Sequence, residues 1–191
     1  MKSLMLCPFI SRVPFFVKNI IEGYTYKPDF IEWLPNDPQL EDHKNRMDYK
    51  AVTIFEKLNP EELFIMHATD HYLNHDDLRE MVEILQKDEN AFCIGIHPIT
   101  GNKFSYFPDE IRPHYMTRIV VWKAPLFAKY LEEGKHRTFK YLTEKPGKNP
   151  ITMEDMTSHI AEACNDAGYH ALQATKARCF KVEFADRPSR Y

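Results

Sequence analysis

Between Asp77 and Ile96 the hydrophobic period of the chain switches once from helical to extended, and this switch restricts the fold more than any other feature. Leu78, Met81, Val82 and Leu85 follow the i, i+3, i+4, i+7 spacing of one helical stripe. Asn74-His75-Asp76-Asp77 precedes them with a capping residue and acids that complement the positive end of a helix dipole, and Asp88-Glu89-Asn90 closes the run. Phe92, Ile94 and Ile96 then alternate with Cys93, Gly95 and His97, the period of a half-buried strand.

The rest of the chain is read around this pair. Asn59-Pro60-Glu61-Glu62 predicts another helix start, with a capping residue, Pro at the first helical position and two acids. Residues 103–107 are expected to pair back on 92–96 as a hairpin, and residues 115–122 supply a third strand of β-branched and aromatic type. Residues 15–20 read as a strand, and residues 49–58 as a short apolar element, strand or helix. Residues 125–133 read as a short helix stopped by Gly134, and 137–143 as a further strand. A helix from Thr152, with Met153, Met156, Ile160 and Cys164 on one face, ends near Gly168, and a last strand follows over 177–184. Residues 23–48 form a Pro-rich loop held to the body by Phe30, Ile31, Trp33 and Leu34, and residues 144–151 form a mobile loop. Strict βαβ alternation is missing from this order. The expected fold is α+β, a mainly antiparallel sheet with helices packed on one face, in a single domain over 1–191.

A chain of 191 residues buries roughly 70% of the surface its unfolded form exposes, so folding requires neither a disulfide nor a metal. The net charge of -3 argues against a large basic footprint, so no duplex nucleic acid is expected as partner. Cys7, Cys93, Cys164 and Cys179 form no C-x-x-C pair and sit among apolar neighbours, the pattern of reduced thiols. A reducing, cytoplasmic location is expected. The first residues begin like a secretory signal, but Pro8, Arg12 and Pro14 break the apolar run. No run approaches the ~18–20 apolar residues that span a bilayer, so no membrane partner is expected.

The richest chemistry lies in His67-Ala68-Thr69-Asp70-His71-Tyr72-Leu73-Asn74-His75. On a helix His67, His71 and His75 share one stripe, opposite Ile65, Met66, Tyr72 and Leu73, and so face water. The second cap at Asn74 removes His75 from that stripe and leaves a pair. His67-Ala68-Thr69-Asp70-His71 resembles the H-x-x-E-H signature of inverted zinc metallopeptidases, with Asp70 in the Glu position. The resemblance implies His67 and His71 as metal ligands and Asp70 as the catalytic carboxylate, with a divalent metal as cofactor. His67-Ala68-Thr69 also resembles the first H-x-T/S motif of two-histidine phosphoesterases. His97-Pro98-Ile99-Thr100 stands as a second copy with one residue too many, and makes His97 a candidate acid or base. Cys93 and His97 share a strand face but lie about 13 Å apart, too far for a nucleophilic pair.

A second candidate surface interleaves rings and cations. Tyr106, Arg118 and Trp122, among Lys103, Phe104, Arg112 and Lys123, are placed to stack a base and neutralise a phosphate. Arg118 stands out because it interrupts an apolar strand. The residues together point to a small soluble enzyme, a hydrolase or transferase acting on an anionic or phosphate-bearing small molecule or nucleotide. The competing reading is a non-catalytic protein- or nucleotide-binding module that uses the aromatic and basic sheet face. P-loop, G-x-S-x-G and Rossmann fingerprints are all absent.

Overall fold

The computed structural model of the protein describes residues 1–9, 15–35, 47–69, 71–96, 119–144, 155–174 and 177–181. Strand β1 (Ser3–Phe9) is followed by helix α1 (Phe15–Gly23), β2 (Phe30–Pro35), α2 (Met47–Leu58) and β3 (Leu63–His67). Next come β4 (His71–Leu73), α3 (Asp77–Lys87), β5 (Ala91–Ile96) and β6 (Ile119–Lys123). The chain continues through α4 (Ala124–Glu144), α5 (Asp155–Asp166), β7 (His170–Gln173) and β8 (Cys179–Lys181). Six strands make one sheet in the order β2-β1-β3-β6-β5-β7, and β4 pairs with β8 apart from it. Strand β1 is parallel to β2 and β3, β5 is parallel to β7, and β6 runs against both its neighbours.

The expected mainly antiparallel α+β sheet is therefore corrected to a mixed, mostly parallel sheet covered on both faces. The reason is visible in β1 and β3. Leu4-Met5-Leu6-Cys7 and Leu63-Phe64-Ile65-Met66 are unbroken apolar runs buried on both sides, as parallel strands between two helix layers must be. Met5, Cys7, Leu63 and Ile65 pack with α1 and α3, while Leu4, Leu6, Phe64 and Met66 pack with α2, α4 and α5. Residues 15–20, expected as a strand, lie in α1, the crossover between β1 and β2. Inside the expected 23–48 loop, β2 pairs along β1 from Leu4↔Phe30 to Phe9↔Pro35.

Two helix ends also differ from expectation. Asn59 stops α2 instead of starting a helix. Its φ of +43° is left-handed and its N–H donates to the Phe55 carbonyl at 2.7 Å, an αL stop with Pro60 just beyond. The residues after it form β3. Gly134 does not stop α4, which continues through it to Glu144 and absorbs the expected strand at 137–143. By contrast, α3 buries Leu78, Met81, Val82 and Leu85 as its stripe requires. Helix α5 ends in a Schellman turn: Gly168 has φ +90°, its N–H reaches Asn165 O at 2.8 Å, and Tyr169 N–H reaches Cys164 O at 3.0 Å. The expected hairpin partner at 103–107 lies outside the described residues, as does the expected loop at 144–151 apart from Glu144, the last residue of α4. Among the described residues no helix is long and apolar enough to cross a membrane.

Candidate functional site

Chain order and sheet order together single out one edge of the sheet. From β1 the chain first crosses to β2 on one side and then to β3 on the other, so the connections reverse between β1 and β3. In open α/β sheets ligands bind at such a switch point, beyond the carboxyl ends of the parallel strands. The carboxyl end of β3 is His67. Across the sheet His67 is in register with Ile119, the first residue of β6, and Ile119 with Ile96, the last of β5. One row therefore aligns the ends of three strands along this edge.

The chain leaving β3 is held from beneath. His67, following Leu63 and Ile65 on the α1 side of the sheet, is 0% exposed. Its Nε2 lies 3.1 Å from the Tyr24 hydroxyl, and its Nδ1 lies 3.1 Å from the Ala68 carbonyl. The carbonyl can only accept, so Nδ1 carries the proton and Nε2 accepts from the Tyr24 O–H. The same hydroxyl accepts the Leu73 N–H at 2.8 Å. Burial, opposed by that Leu73 bond, pushes the Tyr24 phenol well above its ordinary value, so it stays protonated and able to donate. The turn closes through His71 N–H to Ala68 O at 3.3 Å. Further along, Thr25 donates its N–H and hydroxyl to the His75 carbonyl at 3.0 and 3.2 Å, and Asp77 Oδ2 accepts the Arg178 N–H at 2.8 Å.

The residues singled out from sequence fare differently. His67 and His71 are buried, at 0% and 1% exposure, instead of lying on a wet helix face, because His67 ends the inner strand 63–67 and His71 opens β4, paired with β8. Both His67 ring nitrogens face protein partners, and no group of three His, Cys, Asp or Glu with metal-binding geometry exists among the described residues. His75 does separate from the pair: its side chain is exposed just before α3. Trp122 is 1% exposed and packs against Phe92 and Phe127, with ring centroids 5.4 and 5.1 Å away. It is core beneath α4, not a ligand platform, because helices cover both faces of β6. Asp70, His97, Tyr106 and Arg118 lie outside the described residues. In the chain Asp70 comes three residues after His67, His97 directly follows Ile96, and Arg118 directly precedes Ile119. Tyr24 was not anticipated from sequence. Its partners are 43 and 49 residues away, and no local pattern marks it.

No protein-family model matches the chain, and no curated protein matches its sequence. Solved structures do share its fold. A glycosyltransferase involved in the glycosylation of the major capsid of PBCV-1 superposes with a TM-score of 0.56 at 12% identity, covering 91% of this chain and 81% of that one. The mannosyltransferase PcManGT from Pyrobaculum calidifontis, in complex with GDP-Man and Mn2+, gives 0.62 at 16% identity, covering 99% of this chain and 58% of that one. TarS 1-349 from S. aureus gives 0.59 at 11% identity, covering 95% and 60%. This chain thus spans under two thirds of the length of the last two. At these identities the likeness is one of fold.

Proposed function

We propose that the protein is a glycosyltransferase that moves a sugar from a nucleotide-sugar donor to an acceptor hydroxyl. The observation that carries this reading is the aligned row of His67, Ile119 and Ile96 beside the β1/β3 switch point. Two proteins of the same fold are by name glycosyltransferases, and one of them is in complex with GDP-Man. The position suits a nucleotide, since strand ends at a switch point present backbone groups and helix N-termini to phosphate.

In the proposed reaction the acceptor oxygen bonds to the anomeric carbon of the sugar as the bond from that carbon to the phosphate oxygen breaks. The nucleoside diphosphate leaves with the electron pair, and the acceptor proton passes to a base. Asp70 and His97 are the proposed candidates for that base, Arg118 for holding the leaving diphosphate, and Tyr106 for stacking on the nucleotide base. Water in place of the acceptor gives the hydrolytic version of the same step.

The test is release of nucleoside diphosphate from GDP- and UDP-sugars, with calorimetric binding of GDP and UDP alongside. Asp70→Asn is expected to lower turnover roughly 100-fold or more. Arg118→Ala is expected to weaken diphosphate binding without a fall in melting temperature. A wild-type protein that neither binds nor cleaves any of these donors at millimolar concentration overturns the reading. Adding and chelating Mn2+ in the same assay reads whether a cation takes part.

A further inference from the structure

We infer that Tyr24 is a positioning residue for this site, its single hydroxyl fixing the backbone that leaves β3 by bonding to both ends of the 67–73 stretch. The inference rests on the glycosyltransferase reading above.

Tyr24 directly follows α1, is fully buried, and lies in the core shared with Cys7, Ile65 and Leu73. A Phe ring would fill the same space. The hydroxyl adds nothing to apolar packing and is costly to bury unless bonded. It is bonded twice, donating to His67 Nε2 at 3.1 Å and accepting from Leu73 N–H at 2.8 Å. His67 is the last residue of β3, whereas Leu73 belongs to β4, which pairs not with the main sheet but with β8. The hydroxyl is thus a pin between the main sheet and the small one, and the chain it spans leaves the switch point. Within that span His67 Nδ1–H and His71 N–H both converge on the Ala68 carbonyl. The neighbouring Thr25 repeats the attachment on the His75 carbonyl. A reaction that depends on where this segment sits depends on Tyr24, although Tyr24 need touch no substrate. Displacements of about 1 Å far from the reacting atoms lower rates by as much as ~100-fold.

The experiment compares kcat and donor KM for wild type, Tyr24→Phe and Phe127→Leu, with amide exchange at Leu73. Phe127 packs on the opposite face of the sheet against Phe64 and Trp122, so its variant loosens the core without touching the pin. Tyr24→Phe is expected to lower kcat roughly tenfold or more, change donor KM little and speed exchange at Leu73. Phe127→Leu lowers the melting temperature and leaves kcat unchanged. A second pair, His67→Gln and His67→Leu, covers the case in which Tyr24→Phe does not fold. Gln keeps an acceptor for the Tyr24 O–H and should retain turnover, whereas Leu should lose it. Wild-type kcat in Tyr24→Phe overturns the inference and leaves the glycosyltransferase reading standing, as does an equal loss in Phe127→Leu or in His67→Gln and His67→Leu alike. A wild type that handles no donor overturns the reading and the inference with it.

Discussion

Asp29 joins the starts of β1 and β2, and does so as an anion. Its Oδ2 accepts the Lys2 and Ser3 backbone N–H groups at 2.7 and 2.8 Å, while the Asp29 N–H donates to Ser3 Oγ at 3.0 Å. The Ser3 N–H bond chiefly holds the carboxyl below its ordinary value of 3.8, with the Lys2 N–H and the chain's amino terminus acting in the same direction. A folded-state value below the unfolded one means the native state binds the proton less readily. The stabilisation is therefore whole above pH 3.8 and fades as pH falls through the lower folded value. Asp29→Asn keeps one acceptor oxygen and removes the charge. Urea unfolding should show the variant less stable than wild type near neutrality, with the gap closing as pH falls below 3.8. A gap that stays constant or widens in acid would mean that the charge is not what matters at this junction.

At the scale of elements, the contact of α4 with α5 turns on one missing side chain. A Cβ on Gly134 would lie 2.9 Å from the Ile160 backbone nitrogen and 3.1 Å from its Cα, so the glycine lets the backbones of the two helices approach closely here. Thr138, one turn on, donates to the Gly134 carbonyl at 2.9 Å, and its Oγ1 lies 2.8 Å from His159 Nδ1. Gly134→Ala improves intrinsic helix propensity by about 1 kcal/mol. Overpacking against backbone that cannot rotate away costs about 1–3 kcal/mol. The expected net effect is destabilisation, read from the urea midpoint; an alanine variant more stable than wild type would show that the helices separate freely. This glycine also marks how far local signals reach. Read alone, Gly134 looks like a helix stop and Asn59-Pro60-Glu61-Glu62 like a helix start. A contact 26 residues along the chain sets the first, and a positive φ at Asn59 reverses the second. Helix α3 was legible because amphipathic period and burial agree along it; β5 was legible as a strand, although all six of its residues are buried and not the half that its alternation implies. Parallel β1 and β3 were not, because an inner strand covered on both faces shows no alternation to read. Likewise His67 and His71 stand out by residue type, while their burial follows from two strands, β3 and β4, where local spacing predicts a helix.

For the whole molecule, the two edges of the main sheet are finished differently. The amino edge is sewn shut. Glu62 N–H and Leu63 N–H both reach the Lys2 carbonyl, Ala124 N–H reaches Glu62 O at 2.9 Å, Lys123 Nζ bonds the Asp88 carbonyl, and His170 Nε2 meets Asp88 Oδ2 at 2.8 Å. The carboxyl edge is where residues 10–14, 36–46 and 97–118 connect to β1, β2 and β5, next to the row through His67, Ile119 and Ile96. The nucleotide site proposed above is therefore assigned to the carboxyl end, in keeping with the switch point between β1 and β3. The consequence can be measured without knowing the acceptor. Under saturating GDP or UDP, hydrogen exchange should slow in peptides covering residues 5–9, 64–69 and 94–96. Peptides covering 60–63, 88–91 and 123–126 should be unchanged. Amides already locked in the central strands exchange only on global opening, so peptide-level differences are sought at the strand ends, where local opening dominates. Two spurious outcomes are separable. Uniform slowing across all peptides reports ligand-linked global stability, which follows mass action and scales with ligand concentration over Kd. Slowing confined to the amino edge would move the nucleotide to the wrong end of the sheet and remove the switch point as the site.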